Sequence, residues 1–117
     1  MDSRIRKLAS VLVNYSIALK PGERLLIRAM SPDAEPLAQA LYEEAFNAGG
    51  LPFVYIMMSQ ENEIALESRA SLEQLETINP MLALAYETFE AVIRIDCPQN
   101  MRALGMYPPD RQRARAK

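Results

Sequence analysis

The chain holds no histidine and a single cysteine, Cys97. Zinc sites recruit histidine or several cysteines, so this chain lacks the usual means to build one. Ser-His-Asp and Cys-His nucleophile systems are excluded on the same ground. One cysteine permits no internal disulfide and suits a reducing, cytoplasmic setting. An excess of positive charge is missing too: 13 Lys and Arg stand against 15 Asp and Glu. Nucleic-acid binding normally needs a basic face, so no nucleic-acid partner is expected. No apolar run approaches the ~18 residues of a membrane span, so no membrane partner is expected either. Met1-Asp2-Ser3-Arg4 leads into a mixed amphipathic segment rather than a signal-peptide pattern. With four glycines, the chain contains neither G-x-G-x-x-G nor G-x-x-x-x-G-K-[ST]. Dinucleotide and P-loop nucleotide binding therefore lose their usual support.

What is present is a turn, an apolar strand, a helix, a double glycine and a second apolar strand, all between Pro21 and Met58. Lys20-Pro21-Gly22-Glu23 signals the turn. Arg24 to Met30 comes next, and its Leu25-Leu26-Ile27 centre is too continuously apolar for an edge, which predicts a strand inside the sheet. A helix is expected from about Ala34 to Ala48, with Leu37, Leu41, Ala45 and Ala48 inward and Gly49-Gly50 as its left-handed stop. Asp33 is the expected N-cap, because it places Pro36 where a missing N–H costs nothing. Leu51 to Met58 then gives a second strand, with Pro52 tolerated at its start. This pattern predicts a right-handed βαβ crossover. The 117 residues and 50% hydrophobic content suffice for one α/β domain: three layers, a mainly parallel sheet and helices on both faces, an incomplete Rossmann-like or flavodoxin-like fold.

Before this unit, Ser3 to about Ala18 reads as a helix with Ile5, Leu8, Leu12 and Tyr15 on its apolar stripe, widened by Ala9, Val13 and Ser16, so Tyr15 is expected in the core. Residues 59–90 read as a broken helical connection, with Ser71 and Asn79 as caps and Pro80 at a first helical position. Ala91 to Asp96 is a third strand. A short helix over 99–104 and a basic tail from Pro109 complete the chain, whose ending at Lys117 before any apolar partner row suggests a continuation.

Four residues fall where open α/β sheets bind ligands, at the carboxyl ends of strands: Ser31, Asp33, Asp96 and Cys97. Ser31 and Asp33 are better explained as turn and cap residues. Asp96 is a candidate for capping the next segment or meeting another domain. Cys97, with no histidine or basic partner, is a weak nucleophile. Met57-Met58 suggests soft-metal ligation, but adjacent strand residues point to opposite faces, and core packing is the simpler reading. An all-carboxylate magnesium or manganese site stays open, although the acidic residues are scattered singly as on a solvated face. No catalytic, cofactor-binding or metal-binding residue is assigned.

The ordered set Leu12-Val13-Asn14-Tyr15-Ser16, Lys20-Pro21-Gly22-Glu23, Leu26-Ile27-Arg28, Glu35-Pro36-Leu37, Leu41-Tyr42-Glu43-Glu44-Ala45 and Ala48-Gly49-Gly50 resembles the N-terminal domain of the aminopeptidase T/aminopeptidase S family of metallo-aminopeptidases. Ala91-Val92-Ile93-Arg94-Ile95 and Pro109-Asp110-Arg111-Gln112 extend the likeness over the whole chain. The resemblance implies a cytoplasmic, homodimeric parent that removes N-terminal residues from peptide substrates with two divalent metal ions, zinc or cobalt. It also implies that the metal ligands belong to a C-terminal domain outside this chain, so residues 1–117 form one inactive domain of a two-domain enzyme. The alternatives are a stand-alone α/β binding or regulatory domain, contacting a small acidic molecule or a partner protein near Ser31, Asp33 and Asp96, and a small hydrolase or transferase using Asp96 or Cys97.

Overall fold

The computed structural model describes residues 2–96; Cys97, the expected helix at 99–104 and the basic tail lie outside the described residues. Three strands, β1 (Arg24–Ala29), β2 (Leu51–Ile56) and β3 (Ala91–Ile95), make a parallel sheet in the order β2-β1-β3. The strand predicted to be interior is the central one, and Leu25, Leu26 and Ile27 are all buried. Leu25 lies opposite Pro52 and Ala91, and Ile27 opposite Val54 and Ile93. Alternation then gives β1 two unlike faces: Leu25, Ile27 and Ala29 on one, Arg24, Leu26 and Arg28 on the other.

The first face meets α1 (Ser3–Val11) and α2 (Glu35–Asn47). Ala9, Val13, Leu25, Ile27, Leu41 and Ala45 form its packed centre. Alanines at 9, 38 and 45 leave no bulk between helix and neighbour, which lets the backbones approach closely. Asp2 caps α1 by accepting from the Arg4 N–H at 2.8 Å.

Tyr15 is not in the core: it is 78% exposed, and Leu8 is also outside. The helix widens into a π turn over Leu12–Ser16, where the Ile17 N–H reaches back five residues to the Leu12 carbonyl at 3.0 Å. Leu8 precedes this turn, so the buried row is already displaced from the Leu8-Tyr15 side within the regular helix. The inward row is Ile5, Ala9 and Val13, and a left-handed Ala18 (φ 46°) ends the segment.

The cap of the second helix also differs from expectation. Ser31, not Asp33, is the cap, and its hydroxyl accepts from the Asp33 N–H at 3.1 Å. The first turn, Pro32–Ala34, is 3₁₀, with the Ala34 N–H bonded to the Ser31 carbonyl at 3.0 Å. α2 proper begins at Glu35, so Pro36 still sits in a first turn where no N–H is required. The tighter turn accommodates both prolines at once.

The connection from β2 to β3 is broken as expected, into α3 (Glu61–Glu67), α4 (Leu72–Glu76) and α5 (Pro80–Thr88). Ser71 and Gln74 form a reciprocal capping box, and Asn79 accepts from the N–H groups of Met81 and Leu82. Side chains of this connection meet the second face of the sheet: Phe89 touches Phe53, with ring centres 5.3 Å apart, and Tyr86 touches Arg28. β2 is an edge strand, so Phe53, Val54, Ile56 and Met58 stay substantially exposed rather than packing as core. Met57 is only half-buried.

One charged clamp holds the amino end of this face. The Arg24 guanidinium donates to both carboxylate oxygens of Glu90, at 3.3 and 2.8 Å, and to the Thr88 carbonyl at 2.6 Å. The Arg24 N–H adds a 2.7 Å bond to Glu90 Oε1. The side-chain bonds from Arg24, then its backbone N–H, lower the Glu90 pKa from an ordinary 4.5 to about 2. A carboxyl depressed on folding stabilises the fold above its unfolded pKa and loses that contribution as pH falls through the folded value. Glu90→Gln is therefore expected to flatten the acid side of the thermal-stability profile between pH 4.5 and about 2. Unfolding midpoints of both proteins across that window check it, and parallel profiles would show that the clamp contributes nothing.

Candidate functional site

The three strand exits are level. The Met30 N–H bonds to the Ile95 carbonyl at 3.0 Å, and the Met57 N–H to the Ala29 carbonyl at 2.9 Å. Ser31 and Asp33 share a turn there, and the Ser31 hydroxyl also donates to Asp33 Oδ2 at 3.4 Å. Local bonds thus account for both. Asp96 lies 3.6 Å from Arg94 Nε, with both side chains half-exposed, and the segment it was expected to cap lies outside the described residues. The structure does not join Asp96 to Ser31 or Asp33 by any bond among the described residues. No three of Asp, Glu, Cys or His among the described residues gather closely enough to hold a metal ion. A two-metal centre does not fit the side chains described.

The convergent polar groups lie elsewhere, on the second face of the sheet. Arg28 faces Tyr55 across β1–β2 and Arg94 across β1–β3, so one register level carries a tyrosine and two arginines side by side. Beside this row is a solvent-open cavity of about 700 Å³, bordered by Glu61 of α3, the end of α4, the α4–α5 connection and α5. Arg28 Nη1 donates to the Tyr86 hydroxyl at 3.1 Å, with the guanidinium carbon 6.0 Å from the Tyr86 ring centre. Asn79 Nδ2 donates to the Tyr55 hydroxyl at 3.4 Å. Arg28 Nε is buried and has no hydrogen-bond partner. A buried donor without a partner costs about 1–3 kcal/mol, and more on a charged group. A second, shallower groove of about 270 Å³ between α2 and β2 is lined mainly by Ala38, Tyr42, Val54 and Ile56 and gathers few polar groups.

Sequence reasoning missed the arginine row. Its available signal was an arginine inside each of two apolar strands, Leu26-Ile27-Arg28-Ala29 and Val92-Ile93-Arg94-Ile95. Only the register shows that the two are neighbours.

The model of the thermophilic metalloprotease (M29) family matches residues 1–117. The chain belongs to that family. No curated protein matches it. Among solved structures, the M29 chain is similar to wild-type AmpT from Thermus thermophilus, with a TM-score of 0.70 and 20% sequence identity. That alignment covers 96% of this chain and 29% of AmpT. At such identity the likeness concerns the fold. The α/β arrangement described above is thus one that recurs within a much longer protein.

Proposed function

We propose that the chain is the N-terminal, non-metal-binding domain of a two-metal aminopeptidase, acting as scaffold for a catalytic centre built outside it. The carrying observation is a metalloprotease family match over residues 1–117 in a chain with no histidine. Scattered carboxylates, with no metal-holding group among the described residues, support the same reading. So do the exposed large apolar side chains along β2 and α5, among them Phe53, Val54, Met81 and Leu84, which suit a surface meant to pack against more protein. In this reading the sheet is the opening half of a flavodoxin-like sheet, whose strand order 2-1-3 it shares. The parent is a cytoplasmic homodimer acting on peptides, and residues 1–117 are one domain of it.

The test is metal-dependent hydrolysis by the purified 117-residue chain. With zinc or cobalt added to an aminoacyl p-nitroanilide, the expected release is indistinguishable from that of metal in buffer, and calorimetry is expected to find no tight zinc site. Metal-dependent release of the N-terminal residue that co-purifies with this chain would overturn the proposal.

A further inference from the structure

We infer that the free edge of the sheet, β2 with the outer side of α2, is the contact surface for a second copy of this chain, the two β2 strands pairing antiparallel about a two-fold axis at Tyr55. An open sheet edge normally carries a lysine, a bulge or an inward charge that blocks pairing. β2 reads Leu51-Pro52-Phe53-Val54-Tyr55-Ile56 and holds no charged residue, with Pro52 its only such device. Its backbone decides the register. The Leu51 and Met57 N–H groups point to β1, bonding the Glu23 and Ala29 carbonyls at 2.7 and 2.9 Å, so by alternation Val54 and Ile56 present theirs outward. With Tyr55 opposite its own counterpart, Val54 of each chain meets Ile56 of the other and exchanges both backbone bonds with it. Pro52, which has no N–H to give, lies outside this pair.

The side chains suit the same pairing. Val54 against Ile56 is a β-branched cross-strand pair, made twice. Both residues lie on the first face beside Tyr42, in the shallow groove whose only charged lining residue is Glu35. Because α2 packs on β1 and β2 alike, the axis sets the two α2 helices antiparallel at about 10 Å, a packing distance that Tyr42 and Phe46 can fill. Tyr42, Phe46, Leu51, Phe53, Val54 and Ile56 are 37% to 52% exposed. Together they offer roughly 600 Å² of apolar surface per copy, which with the strand backbone approaches the ~800 Å² per partner of a standard interface. A two-fold contact uses each edge once, so the assembly closes at two copies. The inference gives a surface to the two-copy state of the reading above and rests on that reading only for the parent. In the 117-residue chain it stands on β2 and α2 alone, so a monomer would sink it and leave the metal test untouched.

Sedimentation velocity of the 117-residue chain between ~1 and ~200 µM tests the association, and disulfide trapping tests the register. Expected is a reversible monomer–dimer equilibrium with nothing larger. Val54→Lys, which sets a charge in the centre of the contact, is expected to weaken it at least ~10-fold. Should circular dichroism show that Val54→Lys does not fold, Phe46→Glu on α2 carries the same comparison. Val11→Lys, at an apolar position of α1 that is 49% exposed, is expected to leave association unchanged. In a chain with Cys97→Ser, Tyr55→Cys is expected to cross-link to its own copy on oxidation, since the two Cα atoms would stand ~4.5 Å apart, within disulfide range. Leu51→Cys is expected not to. A monomer at every concentration, which would give this edge to another part of the parent or to another protein, overturns the inference. So does growth beyond a dimer, unchanged association in the folded Val54 or Phe46 variant, an equal loss in Val11→Lys, or cross-linking at Leu51 instead of Tyr55.

Discussion

Leu41→Ala is expected to destabilise the protein by about 2–5 kcal/mol, the range for deleting three carbons from a closed core site. Leu41 is 0% exposed, as are Val13, Leu25 and Ile27. It stands where α2, α1 and the first face of the sheet meet, so its loss leaves a void that three elements would have to close together. Collapse is hindered because the small residues around it, Ala9, Ala38 and Ala45, are already in close contact and have no longer side chain to swing inward. Since a domain of this size commonly has only about 5–15 kcal/mol of net stability, the variant should sit near the edge of folding at 37 °C. Urea unfolding followed by circular dichroism measures the difference. Tyr42→Ala is the control: Tyr42 is its chain neighbour on the outer side of α2, stacked edge-to-face on Phe46 at 4.9 Å and 42% exposed. It should cost less than half as much, and similar losses in the two would mean that α2 does not bury the face described.

How far the fold can be read from the sequence depends on whether a signal is local. Gly49 as a left-handed stop, Asn79 before Pro80, the Ser71 cap and the interior placement of Leu25-Leu26-Ile27 are settled by a few adjacent residues, and each holds in the structure. Tyr15 departs from expectation because the apolar residues of this helix fit two neighbouring rows, and the buried one runs through Ile5, Ala9 and Val13, which leaves Leu8 and Tyr15 together on the outer side. Asp33 departs because α-helical geometry alone favours it as cap, whereas the chain meets its Pro-x-x-x-Pro start with a 3₁₀ turn. The apolar run Phe53 to Met58 has the composition of core, but strand composition does not distinguish an edge from a centre. At the strand ends, Ser31 and Asp33 are turn chemistry in sequence and structure alike. The arginine row is illegible for a different reason: Arg28 and Arg94 are 66 positions apart, and their meeting is a property of register.

The double glycine offers the second large effect, because its two members resist a side chain for different reasons. Gly49 has φ +85° and closes α2 with the pair of bonds typical of a left-handed stop: its N–H to the Phe46 carbonyl at 2.9 Å and the Gly50 N–H to the Ala45 carbonyl at 2.9 Å. An alanine there carries the ~1–2 kcal/mol left-handed penalty, and its Cβ would press on Pro21 Cβ at 3.2 Å and Cα at 3.3 Å. Pro21 cannot yield freely, because the adjacent Gly22 N–H is tied to the Gly49 carbonyl at 2.8 Å. Gly49→Ala is accordingly expected to cost about 1–3 kcal/mol. Gly50 has no positive φ; a Cβ there would overlap the Cδ2 methyl of buried Leu19, with the Ala45 carbonyl 3.3 Å away on another side. Its alanine variant should also lose about 1–3 kcal/mol, but by overpacking. Truncating Leu19 separates the two causes. In a double-mutant cycle, Leu19→Ala with Gly50→Ala should be less destabilised than the sum of the singles by more than about 1 kcal/mol, since the methyl that clashes is gone. Leu19→Ala with Gly49→Ala should be additive within about 0.5 kcal/mol, because backbone strain persists whatever stands at position 19. Equal coupling in both cycles would mean that the helix stop is set by packing alone and that the left-handed turn at Gly49 carries no strain of its own.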